Sequence, residues 1–363
     1  MLNPALQAQS SSAILRNVLK EVLASTVYAA SVAMANGWRV RKYLSDYATQ
    51  RVLRWLLEGG SEMKNLIVLT LLVAAAVAAH AEKAVLSGAE AIAKFPANLR
   101  DSNDAKLEDA RWCELLPGVE YFYGKFSKLY NKGKEDVSVI RVDYKKAKVR
   151  MKFVDNRVNG GGNQKTSVVA GKYKALFGIN CTFPQWYSKM EGKVVVDAHK
   201  EGGLAMNDDK TYEFFNSSWW KTHPNAEGYT DVFTTEALGL LNGKQTLGGT
   251  GWGAAPYTFM GEATNNVLYI CVVDGRTPRS QGMGYGTVHT FLREFGCFNG
   301  MCIDGGGSTT MVVRKDLLPA NVNEIQHTSE GSSAHWTMNH TIDNILGRER
   351  KVCNQLLFVA TGN

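Results

Sequence analysis

The sequence contains no internal repeat, and its low-complexity sequence is confined to one Ala-rich run, so a repeat array is excluded. It lacks zinc-knuckle spacing and lacks the interleaved aromatic and basic residues of single-strand nucleic-acid binders. Nucleic acid is therefore not expected as a partner. The six cysteines, Cys113, Cys181, Cys271, Cys297, Cys302 and Cys353, form no metal-ligand spacing. His289 and His327 stand isolated, and clustered carboxylates are few. No metal and no cofactor are expected on these grounds. The apolar run 66–79 is shorter than the roughly 20 residues that span a bilayer.

That run has another reading. Met63-Lys64-Asn65 supplies a positive start, and Ala79-His80-Ala81 an A-x-A end. Together they read as a secretory signal peptide over 63–81, cleaved after Ala81. Retention of the segment as an N-terminal anchor is the alternative, and a membrane association is expected only then. A signal needs its charged region at the N-terminus, so Met63 reads as the translation start and 1–62 as an overlong leading stretch. The alternative there is a helical extension, as the weakly amphipathic Ile14-Leu15-Arg16-Asn17-Val18-Leu19-Lys20 suggests. The expectation is a secreted or periplasmic protein. All six cysteines follow the cleavage point, which permits disulfides. Buried free thiols fit the apolar surroundings of Cys271 and Cys302 equally well.

The 363 residues suffice for one large domain or two ordinary ones, and 45% hydrophobic with 21% charged residues is a globular composition. The net charge is +7, part of it in 125–174. A solvated basic face accounts for this, and so does attraction for an anionic substrate.

Residues 82–115 read as a helical lead-in. Val137–Asp143 and Lys148–Val154 alternate as strands around the polar turn Tyr144-Lys145-Lys146-Ala147, which predicts a hairpin. Thr234–Leu241 reads as a short helix, and 248–253 as a Gly-rich loop. Asn266–Val273 is a buried strand ending in Asp274-Gly275-Arg276. Val288, Phe291, Leu292 and Phe295 make a helical stripe stopped by Gly296. Met301-Cys302-Ile303 is a second short strand, ending in Asp304-Gly305-Gly306-Gly307-Ser308-Thr309. Strand, helix, strand implies a right-handed crossover that brings Asp274 and Asp304 to one sheet edge.

Two carboxylates followed by glycines suit acid or nucleophilic work in glycosidic cleavage. Backbone N–H groups of Gly305, Gly306 and Gly307 can approach an anion, Ser308 and Thr309 add hydroxyls, and Arg276 can grip a phosphate. An Asp-Gly turn is also common turn chemistry. A plain turn needs one glycine, though, and three cost considerable chain entropy.

Several segments, in this order along the chain, resemble the phosphodiester glycosidase family. They are Pro117-Gly118-Val119-Glu120-Tyr121, Asn180-Cys181-Thr182-Phe183, Val273-Asp274-Gly275-Arg276, Ser280-Gln281-Gly282-Met283, Ile303–Val312 and Glu349-Arg350-Lys351-Val352-Cys353-Asn354. Bacterial members of that family are often labelled exopolysaccharide biosynthesis proteins. The resemblance implies an α+β fold over 116–363, one domain with a mixed twisted sheet flanked by helices. It also implies hydrolysis of a sugar-1-phosphodiester, with a glycan or sugar phosphodiester as partner. Asp304 would do the chemistry, with Asp274 as partner or orienter and Glu349 as another acid. Asn180, Phe183, Arg276, Arg350, Asn354 and the 305–309 segment would bind substrate. The chain departs from the family in having Tyr257 where an arginine is common, Gly284 in place of a threonine, and Thr287 in place of a glutamate. Two rivals remain open: a polysaccharide-binding protein that keeps the fold without the chemistry, and a metal-dependent phosphodiesterase using Asp274 and Asp304.

Overall fold

The strand Val267–Val273 is apolar on both faces, and both faces are covered. Leu268, Ile270 and Val272 enter one core, and Cys271 and Val273 enter another. This is why the segment reads as a continuous apolar run rather than as an alternation. The computed structural model describes residues 85–361, except 131–132, 236, 247–252, 320–331, 333 and 341–348. The signal segment, the leading stretch, His327 and most of the Gly-rich 248–253 loop lie outside the described residues.

The central layer is a nine-stranded sheet. Its spatial order is Val85–Ser87, Ala105–Leu116, Val119–Leu129, Glu135–Asp143, Val267–Val273, Tyr257–Ala263, Cys297–Gly305, Ala237–Leu241 and Lys244–Gln245. One face carries the short helices Gly88–Ile92 and Ala97–Arg100 and the longer Tyr285–Glu294. Phe95, Phe126, Phe291 and Phe295 lock that layer through edge-to-face and tilted ring contacts. The other face packs on two five-stranded sheets, through residues such as Phe153, Phe177, Met311, Leu356 and Phe358. The fold is thus dominated by strands, and among the described residues helices flank only one side of the main sheet. This corrects the expectation of a sheet flanked by helices. Two further sheets cover the other face, because the strands after Asp143 are themselves apolar on the inward side.

Three local expectations change. Residues 105–116 form a long strand, not part of a helical lead-in, because Ala105, Leu107, Ala110, Cys113 and Leu115 all face inward. Val137–Asp143 and Val149–Asp155 are both strands, but they do not form a hairpin. The first pairs with Val119–Leu129 and Val267–Val273, the second with Asn354–Ala360. Thr234, Thr235 and Ala237–Leu241 lie in strands rather than a helix, since Phe233, Leu238 and Leu240 fill cores on strand spacing. All six cysteines are buried free thiols. No helix among the described residues is long and apolar enough to cross a membrane.

Candidate active site

The strand-helix-strand unit does bring two aspartates to one edge. Tyr257 pairs with Val273 on one side and with Gly305 on the other. The strands that end in Asp274 and Asp304 are both antiparallel to Tyr257–Ala263, so they run the same way. Neighbouring strands lie about 4.8 Å apart, so the two strand ends are separated by roughly 10 Å.

Asp304 does not sit in regular register. Tyr257 opposes Gly305 while Phe259 opposes Cys302, so Ile303 and Asp304 together face Thr258. This is a β-bulge, a device that re-aims a side chain beside a functional site. Asp304 is 9% exposed. Its Oδ1 accepts from the Gly305 N–H at 2.7 Å. Burial pushes Asp304 up to about 6, opposed by the Gly305 N–H, the Ser308 side chain and the Arg350 charge. After burial itself, the same carboxyl adds to the upward push on the Cys181 and Cys353 thiols. That coupling places Asn180-Cys181 and Cys353-Asn354 in its neighbourhood.

The glycines next to it are dictated by contact. A Cβ on Gly305 would fall 2.4 Å from Cδ1 of Tyr257 and 2.8 Å from the Pro256 carbonyl oxygen. Gly306 has φ +66°, and a Cβ there would lie 3.5 Å from an Arg276 guanidinium nitrogen. The turn Gly306–Ser308 therefore lies directly under Arg276. Arg276 itself holds φ 58°, a strained backbone for a side-chain-bearing residue. Gly305→Ala is expected to destabilise the protein by about 1–3 kcal/mol through overpacking against Tyr257, read as a lower urea midpoint.

Asp274 is tied differently. It is 3% exposed, and the His340 N–H reaches both carboxylate oxygens, at 3.0 and 3.1 Å. Burial pushes it up to about 8, so it is a neutral acid near neutrality. Its partners belong to the segment 338–340, whose Asn339 accepts from the Met311 N–H and donates to the Thr309 carbonyl. Asp274 thus braces the chain behind the glycine turn.

Asn180 is fully buried, and its Oδ1 accepts from Thr258 Oγ1 and from the Thr310 N–H. Its Nδ2, both amide atoms of Asn354, and the hydroxyls of Thr309 and Thr310 have no protein partner among the described residues. Unsatisfied buried polar atoms are rare in folded proteins and cluster where a ligand or water completes them.

Glu349 lies apart from this chemistry. Its Oε1 accepts from the Ser167 N–H at 2.8 Å and its Oε2 from the Ser167 hydroxyl at 2.6 Å. It anchors the first turn of the helix Thr166–Lys172, where free N–H groups and the helix dipole favour an anion. In doing so it fixes the chain just before Arg350. Glu349→Ala is expected to cost about 1–3 kcal/mol in urea unfolding, as a buried polar cap is lost. Phe183 packs on Trp186, with ring centroids 4.5 Å apart, three residues beyond Asn180. His289 is a buried, neutral helix residue pressed on Gly239, and burial pushes it down to about 4.

Sequence reasoning missed Tyr257 as the floor under Gly305, and Asn339 and Ser280 as supports. Their signal was available only at Ser280, inside the Ser280-Gln281-Gly282-Met283 segment. Among the described residues, no group of three or more His, Cys, Asp or Glu is gathered to hold a metal ion.

The raised carboxyls set a pH dependence. Asp304 and Asp274 bind protons more tightly folded than unfolded, where the ordinary value is 3.8. Their contribution to stability is full below that value and is lost as pH rises through about 6 and about 8. The melting temperature is expected to fall between about pH 5 and about pH 8.5; a flat or rising curve over that range would contradict the assignment.

A bulged acid, a glycine turn beneath a guanidinium, and buried amides without a protein partner among the described residues thus meet at one end of the central strands. The family model of phosphodiester glycosidases matches residues 154–359, and the chain belongs to that family. No curated protein matches the sequence. Among solved structures, the catalytic domain of zebrafish N-acetylglucosamine-1-phosphodiester alpha-N-acetylglucosaminidase, auto-inhibited by its pro-peptide, is similar at TM-score 0.50 and 16% identity. The match covers 77% of this chain and 88% of that one. A Synechocystis protein matches at TM-score 0.52 and 11% identity, over 67% of this chain. The chain spans only 62% of that relative's length. A Burkholderia pseudomallei protein described as exported matches at TM-score 0.50 and 12% identity, covering 69% and 96%. At these identities the structural likenesses speak for the fold.

Proposed function

We propose that the protein is an exported hydrolase that cleaves a sugar from a sugar-1-phosphodiester, releasing the free sugar and a phosphomonoester. The observation that carries this reading is Asp304, held as a weak acid by burial beside Arg276 and Arg350. A carboxyl titrating near the working pH is suited to give its proton to a leaving oxygen. In this reading Asp304 donates to the bridging phosphate oxygen as the bond from that oxygen to the sugar C1 breaks. Water adds to C1 and loses its proton to solvent. The developing phosphomonoester charge meets the Arg276 guanidinium, with Arg350 nearby and the Ser308 hydroxyl at the same turn. Phosphate is a good leaving group, so the water needs no strong base. Asp274 then serves as an orienter, neutral and bonded to His340. Asn180 and Asn354 offer amide groups to the sugar or the phosphate. Phe183 borders the substrate side, and export follows from the 63–81 segment.

The test is turnover of a synthetic sugar-1-phosphate diester with and without chelator. Release of free sugar in both conditions supports the reading. Binding without turnover points to a polysaccharide binder, and turnover abolished by chelator points to a metal-dependent phosphodiesterase.

A further inference from the structure

The loop that carries Arg276 is held from below by a residue with no assigned role. Glu135 is fully buried at the start of the strand Glu135–Asp143. Its Oε2 accepts from the Gly282 N–H at 2.8 Å and lies 2.8 Å from the Ser280 hydroxyl. The same hydroxyl lies 2.7 Å from the Asp274 carbonyl oxygen and accepts from the Asp136 N–H at 3.2 Å. The chain then closes on itself: the Arg276 N–H donates to the Gln281 carbonyl, the Thr277 N–H to the Ser280 carbonyl, and the Gln281 N–H to the Lys134 carbonyl. The turn 276–282, and with it the left-handed backbone of Arg276, is thus pinned at Ser280 and Gly282.

Hydrogen bookkeeping at Ser280 decides the state of Glu135. One hydroxyl hydrogen cannot serve both the Glu135 oxygen and the Asp274 carbonyl. A proton on Glu135 resolves this: Glu135 donates to Ser280, and Ser280 donates to Asp274. The geometry points to Glu135, in its protonated form, as the positioning residue of Arg276, acting through Ser280 and Gly282. This rests on the reading of Arg276 as the phosphate-binding group.

The electrostatic surroundings agree. Burial first, and the neighbouring Asp136 charge last among its causes, push Glu135 up to about 7. Lys134 just before the strand and Asp136 on it flank Glu135. Arg279 of the loop bonds Asp136 at 3.1 Å and donates to His340 Nε2 at 2.8 Å. Asp274 closes the site from the next strand, and Tyr123 from the strand on the other side, within reach of Asp136 and Arg279.

The test has two arms. In hydrogen exchange, Glu135→Ala is expected to expose the amides of 276–282, while Glu135→Gln, whose amide can keep one of the two bonds made at Oε2, leaves them partly protected. Wild type loses that protection above about pH 7 after correction for intrinsic rates, and the Gln variant does not. In kinetics on the synthetic diester, Glu135→Ala lowers kcat/KM by about 10²-fold through misplacement of Arg276. Combined with Arg276→Ala it is no worse than Arg276→Ala alone, and Glu135→Gln, which keeps one of the two bonds, loses less than Glu135→Ala. Unchanged exchange in Glu135→Ala, or additive losses in the double variant, would overturn the proposal. A wild type without turnover would instead sink the phosphodiester reading, and the exchange arm would still decide the role of Glu135.

Discussion

Asp304→Asn is expected to lower kcat on a sugar-1-phosphodiester by about 10²–10⁴-fold, the range that a positioned general acid contributes. The substitution is close to isosteric, and the amide oxygen can still accept from the Gly305 N–H that Asp304 Oδ1 now holds. It also imitates the neutral acid that the buried site prefers. The sign of the stability change follows. Asp304 titrates at about 6 in the folded chain, above its ordinary value of 3.8. Above about pH 6 the wild type must therefore carry a disfavoured buried charge, and the asparagine does not. The variant should already be somewhat firmer than wild type at about pH 5 and more so at about pH 8, the two converging only near pH 3.8. Loss of activity together with gain of stability separates a chemical role from a structural one. Thermal melts at the two pH values beside kcat measurements would read it, and full activity in the variant would remove Asp304 from the chemistry.

Arg276→Gly carries the second large effect. A left-handed backbone costs a side-chain-bearing residue about 1–2 kcal/mol, and glycine almost nothing. The φ of 58° at Arg276 is therefore strain retained at a site where the side chain is needed. Glycine should stabilise the fold by about 1 kcal/mol and lower kcat/KM by about 10²–10³-fold, as expected when a charge-stabilising donor is lost. Arg276→Lys should recover little, because a point charge does not reproduce the planar fork. A stabilised and still active glycine variant would mean that the strain serves only the loop.

These expectations rest on parts of the sequence that could be read locally. The strand ending at Asp274, the helix stripe of Val288, Phe291 and Leu292, and the strand ending at Asp304 are each specified by their own composition. Their order placed the two aspartates at one edge correctly. The separate fates of Val137–Asp143 and Val149–Asp155 were not legible, because adjacent strands choose partners by distant residues such as Leu268 and Leu356. The strand Ala105–Leu116 was hidden because its inward residues include small alanines and a cysteine between charged neighbours.

The glycine turn announced itself through excess glycine, while the residues that make those glycines necessary did not. Tyr257 touches Gly305 only after two strands pair. Glu135 sits in the charged run Lys132–Asp136, which reads as solvated surface until the loop 274–282 folds over it. Glu349 drew notice through the family motif, yet its oxygens are occupied by Ser167. The motif marks a place in the fold there, and the Arg350 charge beside it joins the Gly305 N–H and the Ser308 side chain in favouring the charged form of Asp304.

The central claim is that the bond broken joins C1 of the sugar to the phosphate oxygen. Hydrolysis of a synthetic sugar-1-phosphate diester in ¹⁸O-labelled water tests it directly. The account predicts the label in the released sugar and none in the phosphomonoester. Label in the phosphate would show attack at phosphorus, and the glycosidase assignment of this site would be wrong.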